Sequence, residues 1–381
     1  MKPSLKTIYA IGFLFSLHTA LITYSNSSFL NQFVSESSTG LLYTAGSFLA
    51  IFGLITVPRL IKKIGSRLTM VIIAFILITV YMINIFVANP IVIAIAFCFL
   101  FAANIMFFLT NDIVLDQYSP TDSTGSVRGG YLTVLNLGYV LAPIITGYIL
   151  ARMGFSSLYT LTAIILIPVI WLAFLAPAAS HTHHSKVNIF ASLKKLWKTN
   201  DLRNIVFANF ILQFFYSWMV IYTPLYLHNE LGIPWDNMGS IFSIMLFAFV
   251  LTQIPFGKLA DKFLGEKELL ITGFVIMGIS TITLYILPYF TLTLLAFILF
   301  ITRIGASCIE VMTETYFFKK VSSSETGIIS IFRNTYPTSY IIAPLIASGV
   351  VALAPTKYLF LILGIICFLG ILFVIPIRDT K

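Results

Sequence analysis

Apolar runs of about twenty residues, separated by short polar turns, fill most of this 381-residue sequence. A helix needs about 20 mostly apolar residues to cross the hydrocarbon core of a bilayer. Only 10% of the residues are charged, against about 25% in a typical soluble domain, so too little polar surface exists to cover a soluble globule. The sequence therefore predicts an all-α integral membrane protein. The twelve predicted spans are 7–25, 39–58, 68–88, 91–113, 127–150, 157–177, 203–227, 237–256, 268–288, 291–316, 327–353 and 358–377.

Positive charge is distributed unevenly between the connections that join the predicted spans. Twenty of the 23 lysines and arginines lie on one set of connections and flanking helix ends, whereas Arg152 and Lys357 lie on the opposite set. Because basic residues favour the cytoplasmic side of a membrane, we expect both termini in the cytoplasm. This placement explains the net charge of +9 with the lipid bilayer as partner and no nucleic acid.

The two halves of the sequence repeat each other at an offset of about 200 residues. Residues 139–145 and 340–346 share a Tyr, an Ala-Pro pair and flanking branched residues, with the prolines at Pro143 and Pro344. Because the features recur in the same order and each half has six spans, both halves should have one orientation, as in a parallel repeat. The predicted domains are a six-helix bundle at 1–177, a cytoplasmic linker at 178–202 whose interleaved lysines and apolar residues favour an interfacial helix, and a second six-helix bundle at 203–381.

One cytoplasmic connection carries a recognisable signature. Residues 257–262 read Gly-Lys-Leu-Ala-Asp-Lys, and Gly265 follows after one extra residue. This segment resembles the loop signature of the major facilitator superfamily, and the resemblance extends over nearly the whole chain. The equivalent connection of the first half has Lys62 at the acidic position. The resemblance implies a cytoplasmic gate formed by Gly257, Asp261, Lys262, Gly265, Arg128, Gly65 and Arg67, in which we expect Asp261 to latch onto the start of span 5 near Arg128.

Span 5 carries a second similarity to this superfamily. Its small residues follow the spacing found in proton-coupled antiporters, although Ala142 and Thr146 replace two glycines. Such residues let helices approach closely in lipid, so ordinary tight packing explains the pattern equally well. The helix-packing residues are Gly129, Gly138, Pro143 and Gly147, with Pro344 in the second half. The arginine that these antiporters carry in span 4 is absent, and a similar string surrounds Arg303 in span 10, which argues against a standard drug:proton exchange cycle.

Arg303 is the one basic residue in the middle of a predicted span. A charged side chain there costs at least about 2.5–3.5 kcal/mol, so it usually lines an aqueous cavity or a relay. At about 100° per residue, Ser307, Glu310 and Glu314 fall on the same helix face as Arg303. About 10 Å separates Arg303 from Glu310 along the axis, so we expect each to pair with another helix or to face water. A structural buried ion network is the alternative.

Polar residues also recur near the midpoints of spans 1, 4 and 7. The resemblance implies that these spans and span 10 line the central cavity. His18 attracts attention because imidazole titrates near neutral pH, although a neutral hydrogen-bonded histidine is the simpler interpretation. The full set proposed for the solute and proton pathway is Arg303, Ser307, Glu310, Glu314, His18, Asn104, Asn111, Asp112, Gln213 and Tyr216.

The resemblance implies a secondary transporter, and several choices stay open. We expect alternating access, a small organic solute, a proton as coupling ion, a monomer and a plasma membrane location, which is the inner membrane in bacteria. Span 5 favours efflux of an amphipathic compound, whereas Arg303 favours an anionic or sugar-like solute, with an uncoupled uniporter as a variant. The alternative outside transport is a membrane receptor or scaffold that has the same fold.

No catalytic constellation or nucleotide-binding loop is visible, so we expect neither an enzyme nor a cofactor. The nearest approach to a metal site is His181, His183 and His184 in the linker. No cysteine or carboxylate lies beside them, and we expect no metal ion there.

Overall fold

The computed structural model describes residues 3–118, 124–177, 189–262, 265–287, 289, 291–321 and 325–379. Within these ranges the chain is almost entirely helical and contains no strand. The helices are α1 (Pro3–Thr23), α2 (Asn26–Leu30), α3 (Glu36–Phe86), α4 (Pro90–Tyr118), α5 (Thr124–Arg152), α6 (Gly154–Leu175), α7 (Ile189–Lys198), α8 (Asn200–Leu225), α9 (Trp235–Lys262), α10 (Glu266–Ile286), α11 (Leu292–Lys320), α12 (Thr326–Arg333), α13 (Thr335–Leu353) and α14 (Tyr358–Val374).

The number of membrane-spanning helices agrees with the sequence. Among the described residues, ten helical segments are long and apolar enough to cross a membrane, and α14 is a shorter apolar helix. One of the ten, α3, has 51 residues, about 77 Å at 1.5 Å per residue, which is enough for two crossings of a hydrocarbon core about 30 Å thick. When α3 counts as two spans, the twelve predicted spans are all accounted for, and the predicted all-α membrane fold is confirmed.

The predicted end of span 2 at residue 58 is wrong. The helix continues through Pro58 and the following basic segment, and its backbone leaves the helical region only at Gly65, where φ is 80° and ψ is 159°. Arg and Lys are good helix formers, so a run of positive charge does not end a helix. A positive φ does, and glycine adopts it without the steric cost of a Cβ atom.

Predicted span 11 is divided into two helices. Asn334 ends α12 and precedes α13. The division follows from Pro337 in the first turn of α13, because a proline ring clashes with the carbonyl four residues earlier, here that of Arg333. A five-residue π-helical turn, Tyr226–Glu230, also follows α8, where the sequence predicted the plain end of a helix.

The chain folds into two compact units. The first unit comprises Met1–His183 and Leu227–Ser243, and the second comprises His184–Tyr226 and Ile244–Lys381. The sequence assigned Leu227–Ser243 to the C-terminal bundle, but this segment groups with the first unit.

Close helix packing defines the interior of each unit. In the first unit, α1 packs on α5 and α6, and α3 packs on α4. In the second unit, α10 packs on α11 and α14, and α8 packs on α13. A Cβ atom at Gly305 of α11 would lie 2.7 Å from the carbonyl oxygen of Gly273 in α10. Small residues at such crossings let helix backbones approach closely. Membrane helices depend on this van der Waals packing because the hydrophobic effect does not drive their association within lipid.

Candidate functional site

The second unit buries a guanidinium within a membrane span. Arg303 lies eleven residues after the start of α11, about 17 Å along the helix axis, and only 1% of its surface is exposed. Its guanidinium carbon lies 5.1 Å from the ring centroid of Phe215 and 5.8 Å from that of Tyr216, both on α8. An aromatic face stabilises a cation through its quadrupole. The charge of Arg303 is therefore placed against α8.

Tyr216 joins this guanidinium to the carboxylate of Glu310. The phenolic hydroxyl of Tyr216 donates a hydrogen bond of 2.9 Å to Glu310 Oε2, and the face of the same ring lies beside Arg303. A hydrogen bond to an ionised acceptor is stronger than one between neutral groups. One side chain of α8 thus contacts two of the three charged residues on this face of α11. This face is called the charged stripe below and carries Arg303, Ser307, Glu310 and Glu314.

The other two members of the stripe also contact neighbouring helices. Ser307 is fully buried, and its Oγ accepts a hydrogen bond of 2.8 Å from Thr252 of α9. Glu314, one turn below Glu310, forms a two-pronged ion pair with Arg333 of α12, with distances of 2.5 and 3.2 Å. The four polar side chains of the stripe therefore contact three neighbouring helices, α8, α9 and α12.

Further polar side chains of α8 lie on the same side of that helix. Asn209 donates a hydrogen bond of 2.8 Å to Thr335 of α13, and Gln213 donates one of 3.5 Å to Asn209. Gln213 lies one turn before Tyr216 and is half-buried. These contacts form a polar track along α8 that ends at the Tyr216–Glu310 pair.

Pro344 lies in the packed interface between α8 and α13. The indole of Trp218 donates a hydrogen bond of 2.6 Å to the carbonyl of Ala343, and Tyr222 donates one of 3.4 Å to the carbonyl of Pro344. These tertiary bonds use carbonyls next to the proline, and they fix α8 against α13. Pro344 therefore belongs to the helix packing that holds α8, which carries Tyr216, in position.

His18 of the first unit is enclosed by neutral groups. Its surface is fully buried, its Nε2 lies 2.7 Å from the hydroxyl of Tyr81, and its Nδ1 lies 3.3 Å from Thr19 Oγ1. The Thr19 hydroxyl also donates a hydrogen bond of 2.9 Å to Asn104. The predicted pathway residues His18 and Asn104 therefore share one network, in which the side-chain partners Thr19 and Tyr81 are neutral.

The remaining predicted residues of α4 lie towards its C-terminal half. Asn111 is buried and donates a hydrogen bond of 2.7 Å to the hydroxyl of Tyr131 on α5. Asp112 is half-buried. Asn104 also donates to the carbonyl of Leu100 in its own helix.

The predicted cytoplasmic gate is described only in part. The Arg67 guanidinium donates a hydrogen bond of 2.5 Å to the carbonyl of Ala176 at the C-terminus of α6, where the helix dipole favours a cation. Gly265 precedes α10 and lies close to the carboxylate of Asp379, which accepts from the backbone N–H of Lys267 at 2.9 Å. Gly257 lies on α9 beside Val311. The side chains of Asp261, Lys262 and Arg128, and the surroundings of Gly129, lie outside the described part, so the latch stays a prediction.

The helix-packing glycines of α5 sit at very close backbone approaches within the first unit. A Cβ atom at Gly138 would lie 2.9 Å from the backbone nitrogen of Leu17 in α1. At Gly147 it would lie 2.5 Å from the carbonyl oxygen of Trp235 and 2.9 Å from Gly239 Cα. The sequence did not single out Gly239, because this glycine belongs to no motif.

Other contributors were also missed in the sequence. Phe215 and Thr252 contact the charged stripe, and Tyr81 contacts His18. Each is one apolar or weakly polar residue among many in an apolar span, so local sequence carries no signal for it. Arg333 entered the sequence analysis only as one of the twenty basic residues assigned to the cytoplasmic side.

Comparisons with known proteins agree on the family. A model of the Major Facilitator Superfamily matches residues 8–245 and 206–381. The uncharacterized MFS-type transporter YcaD of Escherichia fergusonii is 26% identical over 140 residues, which are 36% of this chain and 35% of that protein. The match therefore spans about a third of that relative's length.

Solved structures show the same fold at low identity. The nucleoside transporter NupG superposes with a TM-score of 0.79 and 12% identity over 97% of this chain and 99% of that chain. A D-xylose-proton symporter does so with a TM-score of 0.74 and 16% identity over 99% and 98%. Identities this low establish likeness of fold alone. Because the family model covers nearly the whole chain, this multi-pass membrane protein belongs to the major facilitator superfamily, whose members are transporters and not enzymes.

Proposed function

We propose that the protein is a secondary active transporter that moves a small polar organic solute by alternating access, coupled to protons. The observation that carries the proposal is the placement of Tyr216 between the buried guanidinium of Arg303 and the carboxylate of Glu310. In this account the predicted bundles 1–177 and 203–381 move about the site, the protein acts as a monomer, and both termini lie in the cytoplasm of a bacterial inner membrane.

The solute is a carboxylate or a hydroxyl-rich compound. A guanidinium offers five N–H donors in a planar fork and no acceptor, so it suits oxygen acceptors of an anion or a sugar. Similar structures include a nucleoside transporter, a D-xylose-proton symporter and a transporter in complex with 5-aminolevulinic acid. Nucleosides, xylose and 5-aminolevulinic acid are small, polar and rich in such acceptors, which supports this class for the present chain.

Glu310 is the proton-binding group of the proposed cycle. An ionised carboxylate only accepts hydrogen bonds, whereas a protonated one also donates. A proton on Glu310 therefore changes its bond to Tyr216, and the Tyr216 ring in turn lies beside Arg303. Solute at Arg303 and a proton at Glu310 influence each other through this one side chain.

Efflux of an amphipathic compound is a second candidate. The close packing of Gly138 and Gly147 along α5 matches the positions that gave this helix its similarity to proton-coupled antiporters. Import and efflux share the site and differ in the direction of solute relative to the proton gradient. A flux assay with a known solute distinguishes them.

The test is a thermal-shift screen of purified protein against carboxylates, sugars, nucleosides and amphipathic cations at two pH values. A bound ligand stabilises the folded state by about 2.7 kcal/mol at 100 times its Kd. We expect a polar, acceptor-rich hit whose thermal shift is reduced in Arg303→Ala. The hit is then tested in proteoliposomes with an internal pH dye, where net solute flux down an imposed solute gradient should move protons.

Hits confined to amphipathic cations would favour the efflux candidate. Binding of a solute without any counterflow would contradict transport and favour a receptor on this fold. Net solute flux without proton movement would contradict the coupling and leave a uniporter.

A further inference from the structure

The short helix α7 has one face fixed to the second unit. Only Thr199 separates α7 from α8, which is a membrane span. Leu196 is buried, and the Lys195 ammonium forms an ion pair with Glu325 at the start of α12. This anchoring leaves the opposite face of α7 on the outside of the unit.

An exposed tryptophan marks that outer face. Trp197 is 57% exposed, and its ring packs edge-on against Phe207 of α8, with centroids 6.1 Å apart. Phe207 in turn stacks on Phe373 of α14 at 5.0 Å. Since Phe207 lies seven residues into α8, about 10 Å along its axis, the indole lies alongside the end of a membrane span. Tryptophan is enriched at this depth, where headgroups meet acyl chains.

Three cations lie on the helical turns that carry or adjoin this indole. The Arg203 guanidinium lies 5.7 Å from the Trp197 ring centroid, and Lys194 and Lys198 are exposed and one turn apart on α7. The nearest acid in sequence, Asp201, is paired with Lys320 at 3.5 Å. Within the described part of the chain, none of these three cations has a carboxylate partner.

We propose that this basic indole surface (Lys194, Trp197, Lys198 and Arg203) binds the headgroup of an anionic phospholipid such as phosphatidylglycerol. The phosphodiester would accept hydrogen bonds from the three cations, and the indole would lie beside the glycerol and the first acyl carbons. Charge complementarity selects this occupant, because a zwitterionic headgroup brings no net charge to three cations that have no carboxylate partner among the described residues. The depth of Trp197 places the surface at the membrane and not in free solution.

The test uses the fluorescence of Trp197 in proteoliposomes. The chain has four tryptophans, so the signal of Trp197 is taken as the difference between the wild type and Trp197→Phe. Brominated phosphatidylglycerol and brominated phosphatidylcholine are compared as quenchers at equal mole fraction. We expect stronger quenching of Trp197 by the anionic lipid at about 0.1 M salt, and a smaller excess at about 1 M, where the Debye length falls from about 10 Å to about 3 Å.

The triple variant Lys194→Gln, Lys198→Gln, Arg203→Gln tests the cations directly. We expect it to lower the preference for the anionic lipid by about fivefold or more, since one basic residue near a charged surface contributes about that factor. The matched control is Arg59→Gln, Lys62→Gln, Lys63→Gln on exposed positions of α3, which removes the same charge and should leave the Trp197 signal unchanged.

Equal quenching by the two lipids, or an unchanged preference in the triple variant, would overturn the proposal. Quenching by neither lipid would also overturn it, because another protein surface would then cover Trp197.

Discussion

The two units of the molecule fill their interiors with polar side chains of different kinds. In the second unit, a guanidinium and a carboxylate lie within one span and share Tyr216 as neighbour. In the first unit, His18 and Asn104 meet the neutral groups of Tyr81 and Thr19.

This difference suggests that the charged groups of the second unit serve transport and that the neutral groups of the first unit serve helix packing. A charged side chain within the bilayer costs free energy and usually lies on a transport pathway. Neutral buried groups that hydrogen-bond to one another cost little and help to hold a helix bundle together. We therefore expect changes in the second unit to alter transport and changes in the first unit to alter stability.

Arg303→Ala should have the largest effect. A hydrogen bond to a charged group contributes about 1.5–3 kcal/mol, so solute affinity should fall by about 10- to 100-fold. Counterflow and thermal shift by the solute found in the screen measure this loss. Arg303→Lys keeps the charge but not the planar fork and should recover only part of the affinity. Full transport by Arg303→Ala would contradict the assignment of transport to the charged groups of the second unit.

Loss of the Tyr216–Glu310 hydrogen bond should uncouple the proton from the solute. Tyr216→Phe keeps the ring beside Arg303, so the free energy of solute binding should change by no more than about 1 kcal/mol, or about fivefold in affinity. Solute-driven acidification or alkalinisation of proteoliposomes should fall in Tyr216→Phe and disappear in Glu310→Gln. A normal proton flux in Glu310→Gln would assign the proton to another group.

Gly147→Ala should destabilise the first unit. Its Cβ atom would lie 2.5 Å from the Trp235 carbonyl oxygen, and overpacking of this kind costs about 1–3 kcal/mol. The matched control is Gly349→Ala, where no atom lies within 4 Å of the added Cβ atom and stability should not fall. The melting temperatures of the two purified variants are compared, and equal values would contradict the close approach.

Tyr81→Phe should cost stability and little transport. It removes the hydroxyl that lies 2.7 Å from His18 Nε2, and a buried group left without a partner costs about 1–3 kcal/mol. Tyr289→Phe, at a residue that is 86% exposed, is the control and should change stability by less than about 0.5 kcal/mol. If Tyr81→Phe abolished proton flux while the fold survived, His18 would regain a role in the proton pathway.

The helix periodicity predicted the charged stripe, because four residues on one helix share a face whatever surrounds them. It also predicted that Arg303 and Glu310 would not pair with each other, and that each would pair with another helix or face water, since their separation along one axis is too large for a direct ion pair. The partners could not be predicted, because Phe215 and Thr252 are brought to the stripe by tertiary packing alone.

The boundaries of the helices show the same limit. The basic residues after Pro58 suggested a connection, but α3 continues to Gly65, because charge sets the side of the membrane and does not end a helix. Similarly, the position of His18 in the middle of a span could be read from the sequence. The enclosure of its ring by Tyr81 depends on how α1 packs against α3.

Accessibility of Tyr216 to water tests the central claim most directly. The three cysteines, Cys98, Cys308 and Cys367, are replaced by alanine, and Tyr216→Cys and Tyr81→Cys are introduced separately. A charged, membrane-impermeant thiol reagent should label the protein carrying Tyr216→Cys, with protection by the solute, and should leave the one carrying Tyr81→Cys unlabelled. If Tyr216→Cys reacted only with a lipid-soluble maleimide, Arg303 and Glu310 would not face an aqueous pathway, and the transport site would have to lie elsewhere.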